Sequence, residues 1–195
     1  MDAAANEVHE YHIEEASYEE RTKRNRLGLW LFLFSEIFLF GAFLAARYFL
    51  WGSTRPELNQ FVGLLTTSVL LLSSFFMNRA ETAIGYDNRT RFLRSLLITA
   101  ALGIAFLIGV VGIEWADIKP ADGVYGAVFF GMTGLHSLHV VSGVILIFII
   151  WYRGRKGAFS AEEHWGVEAA ATYWHYVDVI WVFFYPALYL IGTAV

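Results

Sequence analysis

The chain has no cysteine among its 195 residues, and this absence excludes disulfides, thiolate metal sites and cysteine nucleophiles. It has only three prolines, and charged residues make up just 16% of the sequence. No cluster of basic residues interleaved with aromatics is present, so a nucleic-acid partner is not expected. Hydrophobic residues are abundant at 57% and aromatic residues at 17%, outside the usual range of soluble domains. The composition therefore indicates a membrane protein.

Five apolar segments are long enough to cross a bilayer as helices, which takes about 20 residues. They lie at about 27–51, 60–79, 95–115, 123–152 and 170–192. The sequence thus predicts an all-α integral membrane protein with a bundle of five transmembrane helices over 27–195, preceded by an acidic tail at 1–26. Pro186 predicts a kink in the last helix, because proline removes one backbone hydrogen bond.

The lysines and arginines predict the orientation of these spans. Most of the 14 lie before the first span, between the second and third, or between the fourth and fifth: Arg21, Lys23, Arg24, Arg26, Arg79, Arg89, Arg91, Arg94, Arg153, Arg155 and Lys156. Arg47, Arg55 and Lys119 remain for the other side. The positive-inside rule then places the N terminus in the cytoplasm and the C terminus outside. The first 20 residues contain seven acids and no lysine or arginine, and we expect them to lie free or against a partner.

The stretch "LWLFLFSEIFLFGAFL", residues 29–44, holds one carboxylate, Glu36, among aromatic and aliphatic side chains. A glutamate inside a bilayer is costly, so we expect it to face protein rather than lipid. Two interpretations remain open from the residues alone. Glu36 is either a proton-exchanging group or polar contact to a partner subunit, or a protonated carboxyl that ties two helices together by a hydrogen bond.

Two histidines stand in "GMTGLHSLHVVSG", residues 131–143, inside the fourth span. His136 and His139 are three residues apart, so they share one helix face. They are either haem or metal ligands or interhelical hydrogen-bond partners. The second interpretation is favoured, because a metal site needs three or four ligands and the only other histidine within a predicted span is His175.

A third polar cluster lies in "EAAATYWHYVDVIW", residues 168–181. Glu168, Thr172, His175 and Asp178 fall on one stripe of a helix. The carboxylates and the imidazole either relay protons or form a structural network, and the network is favoured. Glu114, at the outer end of the third span, is expected to be interfacial and either paired or solvated.

None of these residues completes a catalytic set, since no nucleophile with its base, phosphate loop or full metal shell is visible. The sequence therefore predicts no catalytic residue and no metal ligand, and it favours a helper subunit over a catalyst.

The residues from about Leu27 to Gly192 resemble subunit III of the haem–copper terminal oxidases. Four stretches carry the resemblance: "RLGLWLFLFSEIFLFGAF", "LLITAALGIAFL", "DGVYGAVFFGMTGLHSLHVVSG" and "HWGVEAAATYWHYVDVIWVFFYPALYLIG". Longer family members have seven helices with a lipid-filled cleft after the first two. This chain resembles the five-helix form that lacks the first pair. The stretch "NRAETAIGYDNR" differs from the animal mitochondrial pattern, as is ordinary for bacterial members, so the resemblance implies the bacterial plasma membrane.

The resemblance implies a subunit without redox centres of its own, packed against the subunit I that holds haem and copper. It implies contacts with other oxidase subunits and membrane lipids, with phospholipid as a further candidate ligand. It also implies help with the fold and proton uptake of subunit I. Family-matched positions of this proton and intersubunit network are Glu36, His136, His139, Glu168, Trp174, His175 and Asp178, the last four in the signature E-A-A-A-x-Y-W-H-x-V-D.

Several alternatives stay open at this point. The sequences of the motifs are more similar to those of cytochrome c oxidases than to those of quinol oxidases. The accessory subunit of nitric oxide reductases is a further relative. From other classes, an autonomous proton transporter would use Glu36 and the stripe from Glu168 to Asp178, although no internal repeat or broken helix supports it. A small haem protein would use His136, His139 or His175.

Overall fold

A computed structural model of the chain describes residues 2–51, 54–55, 59–117 and 119–194, with side chains over 18–50, 59–116 and 119–192. Long helices dominate these residues: α1 (Asp2–Trp51), α2 (Gln60–Gly85), α3 (Arg89–Leu107), α4 (Gly123–Arg155) and α5 (Trp165–Tyr185). Two strands of two residues each, β1 (Thr54–Arg55) and β2 (Thr193–Ala194), pair in parallel.

Two helices continue beyond their α-helical part as π-helical turns. The chain after α3 is π-helical over Ile108–Glu114 and then forms a single α-helical turn at Trp115–Asp117. The chain after α5 is π-helical over Pro186–Leu190. The second change begins at Pro186, which has no N–H to continue the α-helical hydrogen bonding.

Four helical segments within the described residues are long and apolar enough to cross a membrane: Tyr18–Leu50, Gln60–Gly85, Arg89–Glu114 and Gly123–Arg155. Helix α5 is not one of them, because His175, Asp178 and its tyrosines and tryptophans lower its hydropathy. The predicted all-α membrane fold is confirmed, and a fifth crossing by α5 stays a prediction.

The chain divides into two compact units, Met1–Ile37 and Phe38–Val195. The predicted boundary between tail and bundle at residue 26 therefore lies within the first unit, inside α1. In the described part of this first unit Leu33 is buried, whereas Trp30, Leu31 and Phe34 are exposed. The second unit contains the remainder of α1 and the helices α2 to α5.

The indole of Trp174 on α5 fills the space between three other helices of the second unit. A Cβ atom placed on Gly103 of α3 would lie 2.6 Å from this indole, and one on Gly143 of α4 would lie 2.8 Å from it. Any side chain at either position would force the neighbouring atoms to shift, so the two glycines allow close approach. Trp174 Nε1 also donates a hydrogen bond to Ser73 Oγ of α2 at 2.9 Å. One buried residue thus fixes α5 against α2, α3 and α4.

Polar contacts define two opposite ends of the second unit. We use "basic end" for the loops at 86–88 and 156–164 with their flanking helix ends. There Asp87 adopts a left-handed conformation with φ of 52°, and its Oδ1 accepts a hydrogen bond from Ala161 N at 2.9 Å. The Arg89 guanidinium donates to the carbonyl of Arg155. We use "far end" for the start of α2, residue Glu114, and the π-helical turn Pro186–Leu190.

Candidate functional site

The interface between α2 and α5 is lined by paired polar side chains. Trp181 Nε1 on α5 donates to Thr67 Oγ1 on α2 at 3.0 Å, as Trp174 does to Ser73 about two turns further along. Both hydroxyls belong to "TTSVLLLSS", an otherwise apolar stretch of α2. Interhelical hydrogen bonds of this kind are typically worth about 0.6–2 kcal/mol in a membrane. These bonds set the register of the helix that carries most of the predicted site residues.

The predicted pair His175 and Asp178 lies on this same interface. His175 Nδ1 forms a hydrogen bond with Ser74 Oγ of α2 at 2.6 Å. Asp178 is only 4% exposed, and Ser74 borders its carboxyl. Neither carboxyl oxygen of Asp178 has a hydrogen-bond partner among the described residues. Ser74 therefore lies against both residues but is hydrogen-bonded to His175 alone, and no bond links the imidazole directly to the carboxylate in the described part of the chain.

Glu168 belongs to a second cluster, closer to the basic end. Its Oε1 lies 3.5 Å from His164 Nε2, one turn earlier and just before α5 begins. Glu81 of α2 is an electrostatic neighbour of both residues. The side chains of Glu168 and His164 are partly exposed, at 31% and 18%. Acidic groups and an imidazole are thus brought together where α2 ends and α5 begins.

His136 is a fully buried residue on α4. Its Nε2 donates to the carbonyl oxygen of Val177 on α5 at 3.1 Å, and its ring packs on Trp181 with centroids 4.7 Å apart. Phe106 meets the ring edge-on at 5.5 Å. This geometry makes His136 an interhelical hydrogen-bond donor in an aromatic core.

His139 lies one turn further along α4 and is half-buried. Its Nδ1 donates to the Leu135 carbonyl of its own helix at 2.9 Å, and Phe40 meets the ring edge-on with centroids 4.8 Å apart. The neighbouring hydroxyls of Ser142 and Tyr173 are hydrogen-bonded at 2.6 Å, which connects α4 to α5 beside it. The two predicted histidines therefore share a helix but have different surroundings.

The described contacts of the three predicted histidines are hydrogen bonds. Ring nitrogens of His136, His139 and His175 are bonded to two backbone carbonyls and a serine, so the imidazoles do not converge on a common point. Over the residues that the structure describes, no group of three or more His, Cys, Asp or Glu side chains is arranged to hold a metal ion.

Glu36 lies on α1 in the first unit and is half-buried. Side chains close to it in sequence are exposed, among them Phe34 at 58% and Ile37 at 49%. The hydroxyl of the preceding residue, Ser35, bonds back to the Phe32 carbonyl at 2.7 Å. Glu36 is thus a polar residue on a helix that presents a largely apolar, aromatic surface.

The far end contains two buried ionisable residues that are not among the predicted site residues. Arg47 is fully buried, and its Nε and Nη2 donate to the carbonyls of Ala187 and Ile191 at 2.7 and 2.8 Å. Glu114 was expected at the membrane–water interface, either paired or solvated. It is only 7% exposed, and its Oε2 accepts a hydrogen bond from the Tyr189 hydroxyl. A lone arginine in an apolar span is itself a signal, because it must find acceptors inside the protein.

The sequence of the chain was compared with those of known proteins and protein families. The model of the family "Cytochrome c oxidase subunit III" matches residues 8–193. Proteins named cytochrome c oxidase subunit 3 from Dugong dugon, Rhinoceros unicornis and Hippopotamus amphibius are each 38% identical to the chain over 182 residues. The aligned region covers 86% of this chain and 70% of each relative. The chain belongs to the cytochrome c oxidase subunit III family.

Membership of the subunit III family means that the chain forms part of an oxidase complex with other subunits. In this subunit III, described polar residues such as Trp174, His136 and Arg47 are used for hydrogen bonds between helices. These hydrogen bonds fix the register of the helices relative to one another. The carboxyls of Asp178, Glu168 and Glu81 are the groups with acid–base chemistry along the α2–α5 interface.

Proposed function

We propose that the chain is the non-catalytic subunit III of a respiratory haem–copper oxidase, which oxidises cytochrome c, reduces O2 to water and pumps protons. The observation that carries the proposal is the family match over residues 8–193. In this proposal haem and copper are held by partner subunits. The chain packs against subunit I, stabilises its fold and supports its proton uptake.

The hydrogen bonding inside the bundle supports a scaffolding role. Imidazole nitrogens of His136 and His139 are bonded to backbone carbonyls, and that of His175 to Ser74. A protein that held its own redox centre would direct such groups at one point instead. The tight packing of Trp174 against two glycines gives the bundle a rigid core suited to supporting a neighbour.

The test of this function uses spectra of captured material. We would tag the chain, extract native membranes in mild detergent, and record reduced-minus-oxidised and CO-difference spectra, with the chain expressed alone as the comparison. Haem signals in the captured complex and a colourless isolated chain are expected. Their haem type and donor assays would separate a cytochrome c oxidase from a quinol oxidase or nitric oxide reductase.

Two other results would contradict the proposal. Colour in the isolated chain would mean that its histidines are haem ligands despite their hydrogen bonds. Absence of haem from both samples would favour an autonomous proton transporter that uses the carboxyls along α5, and a proton-flux assay on the isolated chain in vesicles would then decide.

The surface of α1 is the proposed contact with subunit I. Its span Tyr18–Leu50 has only 11% of its most apolar window buried, against 44% for Gly123–Arg155. Exposed aromatic side chains on a membrane helix pack against lipid or a partner helix, and a carboxyl such as Glu36 within the helix is expected to face protein rather than lipid. In the proposal, Glu36 tunes this interface.

The substitution Glu36→Gln tests the interface, with Ser35→Ala as the matched control. Glu36→Gln is expected to change the retention of the subunit during purification or the inactivation of the oxidase during turnover, and to leave the haem spectrum intact. Ser35→Ala should behave as wild type, because its hydroxyl bonds only within α1. Loss of the haem spectrum from a complex that still contains the variant would overturn this role.

We further propose that the chain resides in a bacterial plasma membrane with its N terminus and basic end in the cytoplasm. The support is the bias of lysines and arginines toward one side. Because the chain has no cysteine, single cysteines can be introduced for labelling with an impermeant maleimide. Ala158→Cys, at the basic end, should react only in inverted vesicles, and Ala121→Cys only in intact cells. The reverse pattern would invert the orientation.

A further inference from the structure

A shallow groove lies between α2 and α3 at the basic end. It has a volume of about 420 Å³ and is lined by Arg79 from α2 and by Arg91 and Arg94 from α3. A second groove of about 410 Å³ lies beside it and shares Arg79 and Arg91. Asn88, which caps α3, lines both grooves, and its Oδ1 accepts a hydrogen bond from Arg91 N at 3.1 Å.

The charge in these grooves is entirely positive. No carboxylate lines either groove. Two acidic side chains elsewhere at the basic end have partners: Asp87 accepts from Ala161 N, and Glu168 lies beside His164. Within the described residues no carboxylate pairs with the guanidinium groups of Arg79, Arg91 or Arg94. An anion would therefore find several uncompensated donors in one place.

Two apolar residues of the groove lie deeper in the membrane-spanning helices than the arginines. Phe76 is one turn from Arg79 toward the middle of α2, and Ile98 is one turn from Arg94 toward the middle of α3. All three arginines belong to segments long and apolar enough to span a membrane. A guanidinium near the end of such a segment is expected to meet the headgroup layer, where lipid phosphates are its natural partners.

We propose that this groove is a binding site for an anionic phospholipid. The lipid phosphate lies between Arg79, Arg91 and Arg94, whose planar guanidinium groups match phosphate oxygens in pairs. The amide nitrogen of Asn88 donates to the headgroup, and an acyl chain follows Phe76 and Ile98. The site is formed by α2 and α3 alone, and it is independent of which electron donor the oxidase uses.

The shape of the groove favours a lipid over a soluble anion or an acidic peptide. Inorganic phosphate would use the arginines and leave the Phe76 and Ile98 surface unused. An acidic protein segment would pair its carboxylates with the arginines, but it would also need apolar side chains to cover Phe76 and Ile98. A phospholipid carries both a phosphate for the arginines and an acyl chain for the surface of Phe76 and Ile98.

Lipid titration followed by native mass spectrometry tests the site on the purified full chain in detergent. The probes are phosphatidylglycerol and phosphatidylcholine with identical acyl chains. The wild-type chain is expected to bind phosphatidylglycerol at least about tenfold more tightly than phosphatidylcholine. The double variant Arg79→Gln/Arg91→Gln should lose about 30-fold in affinity for phosphatidylglycerol, since each arginine near an anionic headgroup contributes about fivefold.

Arg155→Gln is the matched control. Arg155 is also at the basic end, but its guanidinium lies over the Trp151 ring at 4.8 Å and it lines neither groove. Its substitution should leave the affinity for phosphatidylglycerol unchanged. Arg79→Lys/Arg91→Lys keeps the charge and loses paired hydrogen bonding, so it should show a smaller loss than the glutamine variant.

Three results would overturn the proposal. Equal binding of the two lipids, or an unchanged affinity in the glutamine variant, would mean that the arginines do not select the lipid. Displacement of the lipid by millimolar inorganic phosphate would identify an anion site without a lipid preference. Displacement by a soluble peptide with the sequence of residues 1–20 would identify a site for an acidic protein segment.

Discussion

Arg47 at the far end and the three groove arginines at the basic end have opposite surroundings. At the far end Arg47 is fully buried, and two of its nitrogens donate to carbonyls at the end of the π-helical turn. At the basic end Arg79, Arg91 and Arg94 are exposed and line grooves that contain no carboxylate. The same side chain thus binds the protein's own backbone at one end and is available for a ligand at the other.

The difference follows from how the helices finish. The last carbonyls of a helix lack intrahelical donors, and the π-helical turn after Pro186 comes where the chain leaves the bundle. Arg47 and Gln60, whose Nε2 donates to the Tyr189 carbonyl at 2.8 Å, supply those donors. At the basic end Arg89 supplies such a donor to the Arg155 carbonyl, Asn88 caps α3 and Asp87 holds the facing loop, so Arg79, Arg91 and Arg94 are not needed for this purpose. Burial of Arg47 indicates a structural role, whereas the exposed Arg79, Arg91 and Arg94 are the residues of the proposed lipid site.

The substitution Arg47→Met should have the largest effect on stability. It removes charged donors from buried carbonyls, and each such hydrogen bond contributes about 1.5–3 kcal/mol, so a loss of about 3–6 kcal/mol is expected. Denaturant unfolding of the detergent-solubilised chain measures it. Arg94→Met, at the basic end, is the control and should stay within about 0.5 kcal/mol of wild type. Equal losses in the two variants would remove the distinction between the ends.

Tyr189→Phe should have the next largest effect, because it leaves buried Glu114 without the hydroxyl that bonds to its Oε2. The other oxygen, Oε1, already has no partner among the described residues. The expected cost is about 1–3 kcal/mol, measured by the same unfolding experiment. The double variant Tyr189→Phe/Glu114→Gln should cost less than the sum of the two single changes, because the two side chains act as a pair. Strict additivity would contradict the buried pair.

Trp174→Phe probes the middle of the bundle, between the two ends. Phenylalanine keeps most of the ring and loses the hydrogen bond from Nε1 to Ser73, so a loss of about 1–2 kcal/mol is expected. Ser73→Ala removes the same bond from the other side, and the double variant should be little worse than either single one. Gly103→Val, by contrast, should be more damaging than Trp174→Phe, because its side chain would collide with the indole.

Much of the fold could be predicted from apolar run lengths alone. The helices nevertheless extend past those runs: α2 ends at Gly85 rather than near residue 79, and α3 begins at Arg89 rather than near 95. Hydropathy falls where charged residues begin, whereas backbone hydrogen bonding continues to the capping residue, Asn88 for α3. The apolar pattern therefore locates a membrane span better than it locates the ends of its helix.

The partners of the site residues could not be predicted from the sequence. His175 and Asp178 are three residues apart, which suggested a direct pairing, yet both meet Ser74 from another helix 101 residues away from His175. Arg47 is likewise bonded to carbonyls 140 and 144 residues away. Such pairs depend on the register between helices, which the spacing within one helix does not determine. The serines and threonines of "TTSVLLLSS" are the sequence signal that α2 has polar partners on another helix.

The smallest effect is expected from Asp87→Ala, at the basic end. Asp87 has a positive φ of 52°, a conformation that aspartate tolerates better than alanine, and its carboxylate holds Ala161 N at 2.9 Å. Because the loop is exposed, loss of this bond and the added strain should cost about 0.5–1.5 kcal/mol in the same unfolding experiment. Asp87→Gly relieves the strain and removes only the bond, so it should be the milder of the two. A loss as large as that of Arg47→Met would mean that the basic end is held as firmly as the far end, and that its arginines also stabilise the fold.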